Sequence, residues 1–289
     1  MIYALLILII LIPTAAFVLN ACMFKPPKVD NKQIDGRRVS FRSGKNRLAA
    51  YLWNENGTHG LVILAHGMGT NIAYYLPEIH HFAIAGYRVF AFEYTGYGDS
   101  TGHFYGFPQA VSDLKNAIAF INDGTLPLVL VGHSMGGYAA CAVGQCLPCP
   151  VSAIVAYAPF YSSREAIRET TNVMPRCGAL LGCVIHLVQR LLFGARYAWN
   201  GVDGLRAAHA PALIIQGKDD REVGCTGCAL YAHRAELAGG TVDFCLIEQA
   251  DSSGHMTVIR KKGSASVNED TMQQVDAFLE KITKENSGR

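Results

Sequence analysis

Leu128-Val129-Leu130-Val131-Gly132-His133-Ser134-Met135-Gly136-Gly137 is the stretch whose reading decides the fold. An apolar run ends at Val131, a Gly-x-Ser-x-Gly turn follows, and Tyr138-Ala139-Ala140-Cys141-Ala142-Val143 continues as a helix. That order describes a nucleophile elbow, in which a buried strand turns sharply into a helix with Ser134 at the apex. Gly132 and Gly136 stand where a Cβ would collide as strand and helix close on each other. The serine is then held in a strained backbone conformation near a helix N-terminus, which favours developing negative charge. A glycine-rich turn that merely contains a serine is the competing reading, and the rest of the chain must separate the two.

Outward from the elbow, apolar runs alternate with helical spacing. Residues 38–41 and 48–53 alternate as strands around a Ser43-Gly44-Lys45-Asn46 turn. Residues 61–65, 87–93, 151–156, 212–216 and 242–247 read as further strands, and the unbroken Leu61-Val62-Ile63-Leu64-Ala65 marks one buried on both faces. Helices are expected over 72–85, 109–122, 229–237 and 271–283. Strands and helices at this spacing predict an α/β fold with a mostly parallel sheet. The pattern breaks between 161 and 210, where only helical segments such as 182–193 occur, so this insertion is expected to form a small helical cap over the strand ends. The expected division is therefore an N-terminal segment 1–24, a linker 25–37, a core of 38–160 and 211–284, and the cap 161–210.

Half of the 289 residues are apolar, ample for a buried core, and the net charge is only +2 with basic residues dispersed. Nothing resembles a nucleic-acid footprint, and no phosphate-binding glycine loop follows a strand. Cys146-x-x-Cys149 and Cys225-x-x-Cys228 have the internal spacing of zinc ligands but lie far apart, so no metal site is expected. Cys141 and Cys245 fall in apolar surroundings as buried thiols, whereas Cys177, Cys183 and the two spaced pairs are open to disulfide formation in an exported protein. Residues 1–24 carry no charge, as expected of a signal peptide or a membrane anchor. Leu19-Asn20-Ala21-Cys22 is similar to a lipoprotein box, although no basic residue precedes the apolar run. Lys25, Lys28 and Lys32 follow it, which by the positive-inside rule favours a cytoplasmic C-terminal side, against the export that a lipoprotein box implies; the chain is expected to be membrane-associated or secreted, with the side of the membrane undecided.

Four motifs in order, His66-Gly67-Met68-Gly69, Gly96-Tyr97-Gly98-Asp99-Ser100, Gly132-His133-Ser134-Met135-Gly136 and an aspartate-then-histidine pair, resemble the α/β-hydrolase superfamily over residues 39–282. The likeness is to capped serine hydrolases of the monoacylglycerol lipase, lysophospholipase and serine aminopeptidase group. It implies an α/β-hydrolase fold and a triad of Ser134, Asp220 and His255. A serine hydroxyl needs a histidine to take its proton, and that histidine needs a carboxylate to hold its tautomer. By the family's register the acid is Asp220, with Asp219 as the alternative and Asp251 as a substitute. Gly254-His255-Met256 follows the last strand, where the base is expected, against the plainer reading of a surface histidine. The backbone N–H of Met135 is the expected oxyanion donor after the nucleophile, and the resemblance adds that of Met68. His66 and His133 are expected to pack or hydrogen bond beside these loops.

The resemblance further implies ester hydrolysis through an acyl-enzyme, on a lipid-like or other apolar acyl ester, with no cofactor. Aminopeptidase, amidase or thioesterase activity would use the same triad, and a membrane-tethered binding protein on a hydrolase fold would use none. Recognition of a free amine would call on carboxylates in the cap, where Glu165 and Glu169 are the candidates. Leu180, Leu181, Val184, Ile185, Leu187, Val188, Leu191, Leu192 and Phe193 are too many apolar residues for one face of a surface helix, and they are expected either to line an acyl pocket or to bury the cap on the body.

Overall fold

In the computed structural model, which describes residues 2–28, 33–172 and 177–287, the apolar runs form one eight-stranded sheet in the order β1-β2-β4-β3-β5-β6-β7-β8. The strands are β1 (Arg37–Ser43), β2 (Asn46–Trp53), β3 (Leu61–Ala65), β4 (Arg88–Phe92), β5 (Leu128–His133), β6 (Ala153–Tyr157), β7 (Ala212–Gly217) and β8 (Val242–Ile247). β1 and β2 form a hairpin closed at Ser43 and Asn46, β2 runs antiparallel to β4, and every later pairing is parallel. All residues of β3, β5, β6 and β7 are buried, which is why they read as unbroken apolar runs.

Alternate residues of β3 serve opposite layers. Leu61, Ile63 and Ala65 join the side covered by α3 (Phe107–Ile121), α4 (Met135–Ala142) and α7 (Gly201–Ala208). Val62 and Leu64 join the side covered by α2 (Leu76–Ile84) and α8 (Glu269–Ser287). The helix expected over 72–85 splits into a 3-10 turn, Ile72–Tyr75, and α2, because Pro77 sits in the first turn of α2 and starts a new helix there. The helix expected over 229–237 is a 3-10 helix, Leu230–Leu237, with only Leu230 and Leu237 buried and no continuous apolar stripe to hold an α-helix on the body.

The insertion leaves the carboxyl end of β6, the sheet edge that also carries Ser134. It contains α5 (Ser163–Asn172), α6 (Gly178–Phe193) and a 3-10 turn, Gly194–Ala198, before α7 lies down on α4. α6 docks through Ile185, Val188, Gln189 and Phe193. Burial of the cap on the body therefore holds for Ile185, Val188 and Phe193, whereas neither expectation holds for Leu180, Leu187 and Leu191, which are 71%, 61% and 77% exposed. Ahead of the sheet, α1 (Ile2–Met23) is a continuous helix whose end is tied to the body. Phe24 is buried in edge contacts with Phe104 and Phe107. Lys32 and the middle of the expected linker lie outside the described residues, as do residues 173–176 of the cap.

Candidate active site

Ser134 has φ 55° and ψ −116°, a backbone conformation that costs a side-chain-bearing residue energy. It persists because its neighbours leave no alternative. A Cβ on Gly132 would lie 2.2 Å from the carbonyl oxygen of Gly136, so strand and helix close only over a glycine. A Cβ on Gly136 would lie 1.9 Å from the carbonyl oxygen of Ala65, so this glycine admits the neighbouring strand β3 rather than the elbow's own strand. The Ser134 N–H donates to the Tyr157 carbonyl at 2.8 Å, and the Tyr138 N–H donates to the Ser134 carbonyl at 2.8 Å as α4 begins. The Ser134 side chain is left partly exposed at the turn.

Asp220 follows β7, and its buried carboxylate is fully used. One oxygen accepts the N–H groups of Glu222 at 2.9 Å and Val223 at 2.8 Å. The other accepts Gln216 Nε2 at 3.2 Å and His255 Nδ1 at 2.8 Å. A carboxylate facing Nδ1 places the ring proton there and leaves Nε2 with a lone pair. Asp219 instead accepts the Ser253 hydroxyl at 2.5 Å, and exposed Asp251 pairs with Lys262 at 2.8 Å. Of the three aspartates weighed from sequence, Asp220 is the one that meets His255. Glu222, 70% exposed, holds a carboxylate oxygen 3.8 Å from His255 Nε2, beyond hydrogen-bond reach.

His133, beside the serine, bonds through Nε2 to the His255 carbonyl at 3.0 Å. A carbonyl only accepts, so Nε2 carries the proton, and Nδ1 accepts the Tyr75 hydroxyl at 2.8 Å. The Tyr75 oxygen in turn accepts the Gly67 N–H at 3.0 Å. Burial pushes the Tyr75 phenol up and His133 down to about 3, so both stay neutral. With the Gly67 N–H committed to Tyr75, Met68 is the next donor along that loop. Met68 is 41% exposed, whereas Met135 is buried at the start of α4.

Behind the same loop, His66 Nε2 lies 3.2 Å from a Glu93 oxygen, both fully buried, and the other Glu93 oxygen accepts the Ile72 N–H at 3.1 Å. Tyr75, Gln216 and Glu93 are support residues that sequence reasoning missed. Glu93 and Gln216 did carry a signal, each being polar at the carboxyl end of an apolar strand run. Tyr75 carried none.

The cap carboxylates are engaged elsewhere. Glu165 pairs with His233 at 3.2 Å. Glu169 accepts the backbone N–H groups of Gly224 at 3.1 Å and Cys228 at 2.5 Å, clamping the loop that follows Asp220 to α5. All nine cysteines are free thiols, and burial pushes Cys141 and Cys228 up and out of the reactive range. Among the described residues, no group of three or more His, Cys, Asp or Glu side chains is placed to hold a metal ion.

Residues 56–195 match the family described as serine aminopeptidase, S33. The chain is similar to a monoacylglycerol lipase of Mycolicibacterium smegmatis, 31% identical over 130 residues covering 43% of this chain and 46% of that protein. It spans about half the length of the curated relatives it matches. Among solved structures it resembles an esterase of Pyrococcus furiosus, with a TM-score of 0.69 at 17% identity over 90% of this chain and 99% of that one. It also resembles a bacterial membrane phospholipase A described as a virulence factor, with a TM-score of 0.59 at 17% identity over 97% of this chain and 96% of that one.

Proposed function

We infer that this chain, which has the α/β-hydrolase fold and matches the serine aminopeptidase S33 family over residues 56–195, is a serine hydrolase that cleaves lipid-like or other apolar carboxylic esters through an acyl-enzyme. The observation that carries this reading is the short His255–Asp220 bond on a loop gripped by the residue before Ser134. His255 Nε2 takes the Ser134 proton as Oγ attacks the ester carbonyl, and Asp220 holds Nδ1–H and balances the imidazolium. The negative charge on the former carbonyl oxygen meets the N–H groups of Met135 and Met68, each worth ~3 kcal/mol in the transition state. Collapse of the tetrahedral adduct expels the alcohol, which takes the proton back from His255. Water then attacks the acyl-serine by the same route, releasing the acid and restoring the hydroxyl.

An aminopeptidase would need an uncommitted carboxylate in the cap to hold a free amine. The pairing of Glu165 with His233, and of Glu169 with two backbone N–H groups, favours the ester over that reading. The burial of Phe24 and Asn20 in the body favours a retained N-terminal anchor over a cleaved signal peptide.

Intact mass after fluorophosphonate treatment tests the mechanism. One phosphonyl adduct on the wild type and none on Ser134→Ala is expected, and absence of an adduct on folded wild type would overturn it. A series of p-nitrophenyl esters against the matching α-amino anilides then separates esterase from aminopeptidase.

A further inference from the structure

Two helices in this molecule are inside out. In α1, Leu11, Ile12, Val18 and Leu19 are 57%, 64%, 52% and 46% exposed, while polar Asn20 is fully buried. In α6, Leu180, Leu187 and Leu191 stand out in solvent at i, i+7 and i+11, one face of the helix, while polar Gln189 is fully buried. The two buried amides meet. Gln189 Nε2 donates to Asn20 Oδ1 at 2.7 Å, and both side-chain amides also donate to the Tyr105 carbonyl, from Asn20 at 3.0 Å and from Gln189 at 2.5 Å. A water-facing helix shows the opposite polarity, with its leucines inward and its amides outward. Polar side chains joined between helices whose outer faces are apolar are the arrangement that suits lipid as the surroundings.

We propose that the α6 face of the cap and α1 form one bilayer-docking surface, held in register by the Asn20–Gln189–Tyr105 latch, so that the cap itself lies in the membrane interface. This extends the reading of α1 as a retained anchor and rests on it. A helix of 22 residues spans ~33 Å, the thickness of a hydrocarbon core. α6 is different, because its inner side is packed on the body, and a helix fixed along one flank with leucines on the other lies in the interface rather than across it. Charge agrees with this occupant. Lys25, Lys28, Arg190 and Arg196 are exposed beside the two helices, and neither residues 2–28 nor residues 178–199 contain an acidic side chain. That is a match for anionic headgroups. A cap seated there would let an apolar ester pass to the site without crossing water.

The test places a tryptophan reporter on each helix of the full chain, as Leu11→Trp and Leu191→Trp, in vesicles of phosphatidylcholine and phosphatidylglycerol with or without brominated acyl chains. Both positions are exposed, so folding should be unaffected, and circular dichroism checks this. The expected result is loss of most of the added emission in brominated vesicles for both variants, with Leu191→Trp shielded from aqueous acrylamide. Quenching of the Leu11→Trp reporter alone, with Leu191→Trp open to acrylamide, would overturn the α6 proposal while leaving the anchor in place. If neither reporter is quenched, the anchor reading fails as well. A Leu191→Trp reporter shielded from both quenchers, in particles of doubled mass, would show a second copy covering the face and would also overturn it.

Discussion

His133 Nε2 lies 3.0 Å from the carbonyl oxygen of His255, so the residue preceding Ser134 holds the backbone of the loop that carries His255. The same imidazole reaches Tyr75 on its other side, and Tyr75 reaches the Gly67 N–H. One chain of hydrogen bonds thereby ties the Gly67–Met68 loop, the elbow and the His255 loop together, with the Tyr75 phenol and the His133 imidazole both neutral. Such a chain orients the loops it joins without taking up a proton itself near neutral pH.

This chain makes stability pH-dependent in a definite direction. Burial pushes His133 down to about 3, whereas an unfolded histidine titrates near 6.5. As pH falls below 6.5 the unfolded state gains a proton that the folded state refuses, so the stability present above 6.5 is lost progressively toward 3. The slope reaches ~1.4 kcal/mol per pH unit. The stability of wild type relative to His133→Asn should therefore fall between pH 7 and 4.5 in urea unfolding. A difference independent of pH would contradict the assignment.

Adjacent aspartates should behave very differently. Asp220→Asn removes the charge facing His255 Nδ1 and should lower kcat by ~10⁴ on a p-nitrophenyl ester with little change in KM. Asp219→Asn only weakens a contact to Ser253 and should retain activity within a few-fold. Comparable losses in the two variants would displace Asp220 from its role.

Glu169 holds the acid loop from the cap. Glu169→Ala leaves the N–H groups of Gly224 and Cys228 without their acceptor, at a cost of ~1–3 kcal/mol each where they are sealed from water. The melting temperature should drop by several degrees, and kcat should fall more than KM rises, because Asp220 sits on the loosened loop. Glu169→Gln retains one carbonyl oxygen and should recover part of both.

The elbow tolerates no added methyl group on its inner side. Gly136→Ala puts Cβ 1.9 Å from a backbone oxygen of β3, an atom that cannot move without breaking the sheet. This variant should fail to accumulate as folded protein. Recovery with a wild-type melting temperature would mean that the packing of β3 against α4 is looser than the structure has it.

Much of the fold was legible in the order of residues because its causes are local. Unbroken apolar runs mean strands covered on both faces and alternation marks the hairpin, and all eight strands lie within a few residues of where these patterns placed them. The glycines of the elbow were legible for the same reason, since a Cβ clash is a property of a few adjacent residues. The order of the strands in the sheet was not local, and only the tertiary structure supplies it.

What only the tertiary structure decided involves partners far apart in the chain. Asp219 and Asp220 are neighbours in a turn that only the family's register told apart, and the fold orients Asp220 toward His255, 35 residues on, and Asp219 toward Ser253. Glu165 and Glu169 read as free carboxylates until His233 and the amides of residues 224 and 228 are brought against them. The leucines of α6 have the composition of a core helix. Their exposure follows from which flank of α6 the body occupies, the one that carries Ile185, Val188 and Phe193 together with Gln189, which meets Asn20 across 169 residues. Hydrophobic periodicity tells how much apolar surface a helix carries. Whether protein or lipid covers that surface depends on the neighbours that folding supplies.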